Sequence, residues 1–553
     1  MILRGFIAII LTSGLLISAP TYAAETAEVA PVIPTPLKVM PSKIKPVQTN
    51  NADELSRAAP EGDKSVGTDN KALEILSPRP AYGFQNDFWA SSSRQDLVAF
   101  LSPPSVPRSK AARNLALRVT LTPSASLSDT KNPDENIYAL RLKKLVELGS
   151  FDDAQKLYKL NESAPPTPMA AQSGIEASLG HGEIAVACLD QKTFDAGLKA
   201  KDAAFWGRID TFCQTLFGPV AGDDEALRLA NASRAYVEIA KPAVTAAADI
   251  NKLDIISTIA MMESGRLSTL INSPENLQAI DDKHLAVLAH YAKPSAATIP
   301  LLGEAITRGI VANDQAIDFL KAIDLKDVSN PYNAFLKEYF KTTGAPVVTE
   351  QLLALATDKT REALLYPLYT SSDMPIPNGH KLLSLKLLAL ANQVLPKSLV
   401  MEAYGLTAPT AKDESLDKTA QSGEEFLIKL LIEKAKTGGI LLPNNDTATL
   451  LALDYANYPQ KDAKNAYDNL LSLTPNDNYV MPIGDILSSL KKSANQKQIN
   501  QVVIRSLAII DDKSLEQLHP VALYRILEAL NSAGLNEETM SLTHEVLGLK
   551  IRN

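Results

Sequence analysis

The chain has 553 residues, 45% of them hydrophobic and 21% charged, and its 55 basic and 63 acidic side chains leave a net charge of −8. That length and apolar content exclude wholesale disorder, and the acidic balance excludes a dedicated nucleic-acid binder, which carries a basic excess. Two cysteines exclude a disulfide-dense scaffold and a multi-thiolate metal or iron–sulfur site, while 25 glycines and few aromatics favour helix over strand.

The first 23 residues read as an export signal. Arg4 supplies the positive start, Gly5 to Ala19 an apolar run, and Pro20-Thr21-Tyr22-Ala23 leads to a cut after Ala23 with small residues at Thr21 and Ala23. The run is shorter than the roughly 20 residues a bilayer-spanning helix needs. Cleavage and release into the periplasm or beyond are therefore expected, with no membrane span left in the mature chain. Residues 24–84 form a proline-rich leader. Eleven of the 34 prolines fall between Pro31 and Pro107, five of them between Pro31 and Pro46. Proline blocks helix interiors and favours extended backbone, so a disordered tether is expected.

A short helical docking segment follows over 85–135. Phe88-Trp89 precedes Ser91-Ser92-Ser93, a supply of N-caps for a helix from Arg94 to Leu101. The body begins near Asn136, with a helical-repeat lobe over 136–406, a polar loop over 407–423 and a C-terminal helical lobe over 424–553. Leu142, Leu145, Val146 and Gly149 share one helical stripe, as do Leu523, Ile526, Leu527 and Leu530. Segments such as Lys381–Leu395 and Glu424–Lys436 have the same period, and most stop at glycine, proline or asparagine. The body is expected to be all-α.

Its helices also repeat. Leu148-Gly149-Ser150-Phe151-Asp152-Asp153-Ala154, with Tyr158, resembles the turn and second helix of a tetratricopeptide repeat. Leu179-Gly180 with Ala185 is a second copy by its spacing. Gly218 through Gly222-Asp223-Asp224-Glu225-Ala226 is a looser third, and Ala533-Gly534-Leu535-Asn536-Glu537-Glu538 offers another turn, with Thr539 in place of alanine. The expected architecture is an irregular α-solenoid of tetratricopeptide-like hairpins with an extended concave face. The run Arg141-Leu142-Lys143-Lys144 reads as a solvated helix face.

Cys188 and Cys213 fall on the second helix of one hairpin and the first of the next, close enough for a disulfide in an exported protein. The alternative is two buried free thiols. His181, His284, His290, His380, His519 and His544 form no metal-ligand pattern and read as surface or cap residues, His519 preceding Pro520 at a helix start. Neither a metal nor a cofactor is expected. Ile256–Arg266 (Ile-Ser-Thr-Ile-Ala-Met-Met-Glu-Ser-Gly-Arg) resembles the Glu-Ser helix of lytic transglycosylases, exported murein-cleaving enzymes. That resemblance makes Glu263 the candidate general acid. Downstream there is no Gly-Leu-Met-Gln-like segment and no aromatic-rich saccharide groove.

Phe88-Trp89-Ala90-Ser91-Ser92-Ser93-Arg94, Ala187-Cys188, Phe205-Trp206, Phe212-Cys213-Gln214 and the Leu527–Leu547 segment together frame most of residues 85–550. With the exported, proline-tethered body, they resemble an alphaproteobacterial family of secreted, tetratricopeptide-like helical-repeat proteins. The resemblance implies fold and location and brings no activity or site residue. The expected role is a non-enzymatic scaffold that binds an envelope protein or peptide, with murein cleavage through Glu263 as the alternative.

Overall fold

The computed structural model describes residues 84, 88–89, 92–102, 106–124, 136–160, 166–219, 225–271, 274–295 and 298–312, then 423–436, 447–458, 465–472, 479–482 and 484–547, with 315, 319, 395–396 and 551–552. The expected signal peptide, the leader up to residue 83, His380, the Gly222-Asp223-Asp224 turn, and the Lys381–Leu395 stripe and 407–423 loop, save Leu395 and Gly423, lie outside these residues.

The protein is all-α, with many packed helices. Helix α1 (Arg94–Leu101) starts at Ser93, whose side chain accepts from the Asp96 amide while Asp96 accepts from the Ser93 amide at 2.9 Å. Next come α2 (Lys110–Thr120) and α3 (Ile137–Glu147), the latter capped by Asn136 Oδ1, which accepts from the Ala139 amide at 2.8 Å. There follow α4 (Phe151–Leu160), α5 (Pro168–Gly180), α6 (Ile184–Thr193), α7 (Ala196–Lys199), α8 (Ala203–Phe217), α9 (Glu225–Ala240), α10 (Ala247–Ile250), α11 (Ile255–Glu263), α12 (Pro274–Gln278), α13 (Asp282–Tyr291) and α14 (Ile299–Thr307). The C-terminal set is α15 (Gly423–Lys436), α16 (Thr447–Asn457), α17 (Ala466–Ser472), α18 (Gly484–Asn495), α19 (Ile499–Ile510), α20 (Pro520–Ser532) and α21 (Asn536–Leu547).

Two hydrophobic cores organise these helices. One gathers α3–α14 around the apolar α11, which packs on α5, α8, α9 and α13. The other is built on α20, which packs on α16, α18, α19 and α21. The N-terminal segment belongs to this second core. Trp89, Leu97 and Leu101 are buried in it, and α2 packs on α19 and α21. Helix α3 serves both cores: Ile137, Leu140 and Leu148 join one, Leu142, Leu145 and Val146 the other. The run from Arg141 to Lys144 is therefore not a solvated face. Lys143 is exposed, but Arg141 is wholly buried and donates to the carbonyls of Thr120 and Thr122 and to Ser124 Oγ. Lys144 is buried with its ammonium 5.6 Å from the centroid of the Phe100 ring, and burial pushes its pKa down to about 8.

The turn at Gly149 closes α3 as read from sequence. Gly149 lies at φ +64°, its amide donates to Val146 O and that of Ser150 to Leu145 O, each at 2.9 Å. The second copy differs in register. Gly180 is the last residue of α5, and the left-handed position is Gly182, at φ +93°. Ala187, wholly buried, then matches Ala154, while Ala185 is exposed. Both the turn glycine and the packed alanine recur 33 residues on.

Gly180 has a different task. A β-carbon there would stand 2.4 Å from the Phe151 ring, and one at Gly174 would stand 2.3 Å from that of Tyr158. The aromatic rings of α4 thus lie directly on the glycine face of α5. Gly180→Ala is expected to lose about 1–3 kcal/mol by overpacking. At Gly207, an exposed position in α8 with open space around it, alanine should instead gain up to about 1 kcal/mol from helix propensity. Urea midpoints of the two variants should move in opposite directions.

Cys188 on α6 and Cys213 on α8 are joined by a disulfide, both buried, with α-carbons 5.6 Å apart. The bond staples α6 to α8 across a separation of 25 residues. The chain-entropy model gives such a closure about 3.5 kcal/mol. The double alanine variant should lose stability by up to that amount in urea unfolding, and thiol labelling of denatured, unreduced protein should find no free cysteine. Among the described residues no helix is long and apolar enough to cross a membrane.

Candidate functional site: a cleft at four helix ends

Helices α3, α5, α13 and α14 each finish at the same place. Gly149-Ser150 after α3, Gly180-His181 at the end of α5, His290 in the last turn of α13 and Gly309 after α14 all line a cleft of about 640 Å³. Ala286, Ala289 and Leu302 give it an apolar floor, and the exposed Asn114 of α2 stands at its wall. A helix C-terminus carries partial negative charge, so a cleft where helix ends converge favours cations.

The chain answers two of these ends with its own guanidinium. Arg113 of α2 is buried; its Nε and Nη2 donate to Leu148 O at 3.1 and 2.6 Å, and its Nη1 to Gly309 O at 2.8 Å. Behind it, Asp282 Oδ2 lies 3.5 Å from Arg113 Nε, and Asp282 Oδ1 accepts from Arg308 Nη1 at 3.1 Å. Arg308 also donates to Ile280 O, Leu277 O and Glu304 Oε1. This Arg113–Asp282–Arg308 chain pins α2 to α3, α13 and α14.

Histidines stand at the other two ends. His181 caps α5, with Nε2 3.5 Å from Asp152 Oδ1 and Nδ1 3.8 Å from Glu183 Oε1. Burial and then the neighbouring His181 hold the His290 imidazole below its usual pKa. His284, expected at the surface or in a cap, is wholly buried in the capping turn of α13, where Nδ1 bonds Oδ1 of the N-cap Asp281 at 2.7 Å and Nε2 bonds Leu253 O at 2.9 Å. Its two ring nitrogens are satisfied locally, so it takes no part in the cleft. His519 caps α20 as its place before Pro520 suggested, accepting from the Val521 amide at 3.2 Å.

Glu263 occupies a second, smaller cleft of about 250 Å³ with Ser268, Tyr291, Lys293 and Thr298. It ends α11, its side chain is 9% exposed, and Lys293 Nζ stands 3.4 Å from its Oε2. The Glu263 carboxyl thus faces the Lys293 ammonium across this cleft. Among the described residues no group of three or more His, Cys, Asp or Glu side chains is placed to hold a metal ion.

No family model, curated protein or solved structure matches the chain. No functional residue is therefore carried over from a relative. Of the residues singled out in sequence, the structure brings Gly149, Asp152, His181 and His290 to one cleft, joins the cysteines elsewhere, and sets Glu263 apart. Arg113, Asp282 and Arg308 were not singled out. Apart from the i,i+4 pair of Arg308 with Glu304, their partners are far along the chain.

Proposed function

We propose that this chain is an exported, non-enzymatic helical-repeat scaffold of the bacterial cell envelope, of the alphaproteobacterial secreted type that its motifs resemble. Its hairpins stack in tetratricopeptide fashion into an irregular solenoid, and it binds a protein or peptide segment. The observation that carries this reading is the cleft of about 640 Å³ formed where successive hairpins turn. Recurrence of the glycine turn and the packed alanine after 33 residues supports the repeat reading. The Cys188–Cys213 bond is consistent with an oxidising compartment such as the periplasm.

A photo-crosslinking residue placed at Asn114 tests it in cells. A defined partner should be trapped there and not from the same probe at exposed Asp512. One observation favours a second reading: Glu263 lines a cleft of its own. Murein zymography of wild type and Glu263→Gln decides that point, and a lytic band lost in the variant would replace the scaffold by an enzyme.

A further inference from the structure

The chemistry of the main cleft specifies its partner more closely, on the assumption that the cleft is the binding face of the scaffold. We propose that it receives a basic segment, seating an arginine or lysine side chain at the ends of α5 and α13. The protein shows the arrangement within itself. Arg113 places a guanidinium on the carbonyl ends that follow α3 and α14, with an aspartate behind it. At α5 and α13 two further helix C-termini lie without an arginine among the cleft-lining residues there, although the Tyr291 hydroxyl donates to Leu179 O of α5 at 2.7 Å, and Asp152 lines the same cleft with its side chain 58% exposed.

Asp152 is already matched with Lys156, but that is an exposed i,i+4 pair, the kind that contributes least and exchanges readily. The histidines at these ends leave room for a stronger cation. His290, held towards the neutral form, offers a lone pair rather than a competing charge. The apolar floor of Ala286, Ala289 and Leu302 suits the methylene stem of a long basic side chain, whose head then reaches the carbonyl ends. An acidic partner would meet the ends of α5 and α13, which Arg113 does not reach, and Asp152. A net charge of −8 adds a long-range field of the same sign preference.

The test uses the full chain and a labelled peptide of alternating arginine and glycine, with its citrulline counterpart as the uncharged match. Fluorescence anisotropy should show the arginine peptide binding at least about tenfold more tightly than the citrulline peptide, and weakening as salt screens the contact. Asp152→Lys should weaken arginine-peptide binding about tenfold. Asp512→Lys makes the same change of charge outside the cleft, at a side chain 66% exposed, and should leave binding within about twofold. Both variants alter exposed side chains, and their urea midpoints check that they are folded. Equal binding of the two peptides, equal weakening by both variants, or no binding at about 1 mM would overturn the proposal. A crosslinked partner that engages Asn114 through a segment without basic residues would overturn it too, while leaving the scaffold reading intact.

Discussion

Replacing Arg113 by methionine is expected to cost about 3–5 kcal/mol, the range for breaking a buried ion pair from one side. The expectation rests on what is left behind. Leu148 O and Gly309 O lose the donors that hold them at 2.6–3.1 Å, and among the described residues Asp282 keeps Arg308 as its remaining ion-pair partner. Burial already works against the Asp282 carboxylate and raises its pKa, with Arg113 the first group to oppose that rise. Removing the arginine therefore leaves Arg308 to offset the desolvation penalty of the Asp282 carboxylate. Adding Asp282→Asn to the Arg113→Met variant should cost less than it does in the wild type, because the neutral amide no longer needs a counter-charge. Urea unfolding of the four proteins measures this, and a single-variant loss below about 1 kcal/mol would show that Arg113 is dispensable to the junction. Arg113→Met should also loosen α2 from α3 and α14 before either core opens, visible as early amide exchange in Lys110–Thr120.

Features whose causes lie within a few residues were legible in the sequence. Ser93 before Asp96, Asn136 before α3, and Leu148-Gly149-Ser150 each carry their hydrogen bonds inside one turn. The cysteine pair was legible because two adjacent hairpins set its geometry. Gly180 misled because glycine serves two purposes: a left-handed turn, as at Gly182, or close approach, as beneath the Phe151 ring. Local sequence does not distinguish them, since the deciding atom belongs to another helix. The buried charges were hidden for the same reason. Arg141 looks like any helix-surface arginine until the Thr120–Ser124 segment closes over it, and Arg113 meets Gly309 across 196 residues of chain. The candidate cleft was thus half legible. Its turns and His181 were among the residues noted, but the convergence of α13 and α14 on those turns is a tertiary fact.

Stability is expected to fall as pH rises from 5 to 8, because two carboxyls are buried where ionisation is costly. Glu176 of α5 and Glu545 of α21 are both pushed up to about 7, in each case chiefly by burial. Lys283 opposes the rise at Glu176. At Glu545 the opposing groups are the donors at the start of α2, with Ser109 Oγ at 3.0 Å and the Lys110 and Ala111 amides at 3.1 and 2.7 Å. Between the ordinary glutamate pKa of 4.5 and about 7 the native state holds protons that the unfolded chain has released. Its stability therefore declines across that window, by up to about 3 kcal/mol per group. Asp153 and Asp282, also raised by burial, act with the same sign. His290, held low by burial, works the other way near its ordinary 6.5. Lys144, lowered to about 8, acts only above that pH, where it favours the native state as the unfolded ammonium remains charged. The buried carboxyls, the two glutamates among them, therefore give the slope from pH 5 to 8 its sign. Glu176→Gln should flatten the profile, leaving the variant at least as stable as wild type at pH 8 and gaining less on acidification. Glu545→Gln should flatten it too, with one acceptor oxygen retained at the start of α2. Urea midpoints at pH 5 and pH 8 measure both, and a wild-type profile that is level or rises over this range would contradict the account. If instead only Glu545→Gln removes the slope, the pH-sensitive contact is the one between α21 and α2, and that contact would loosen first as the medium turns alkaline.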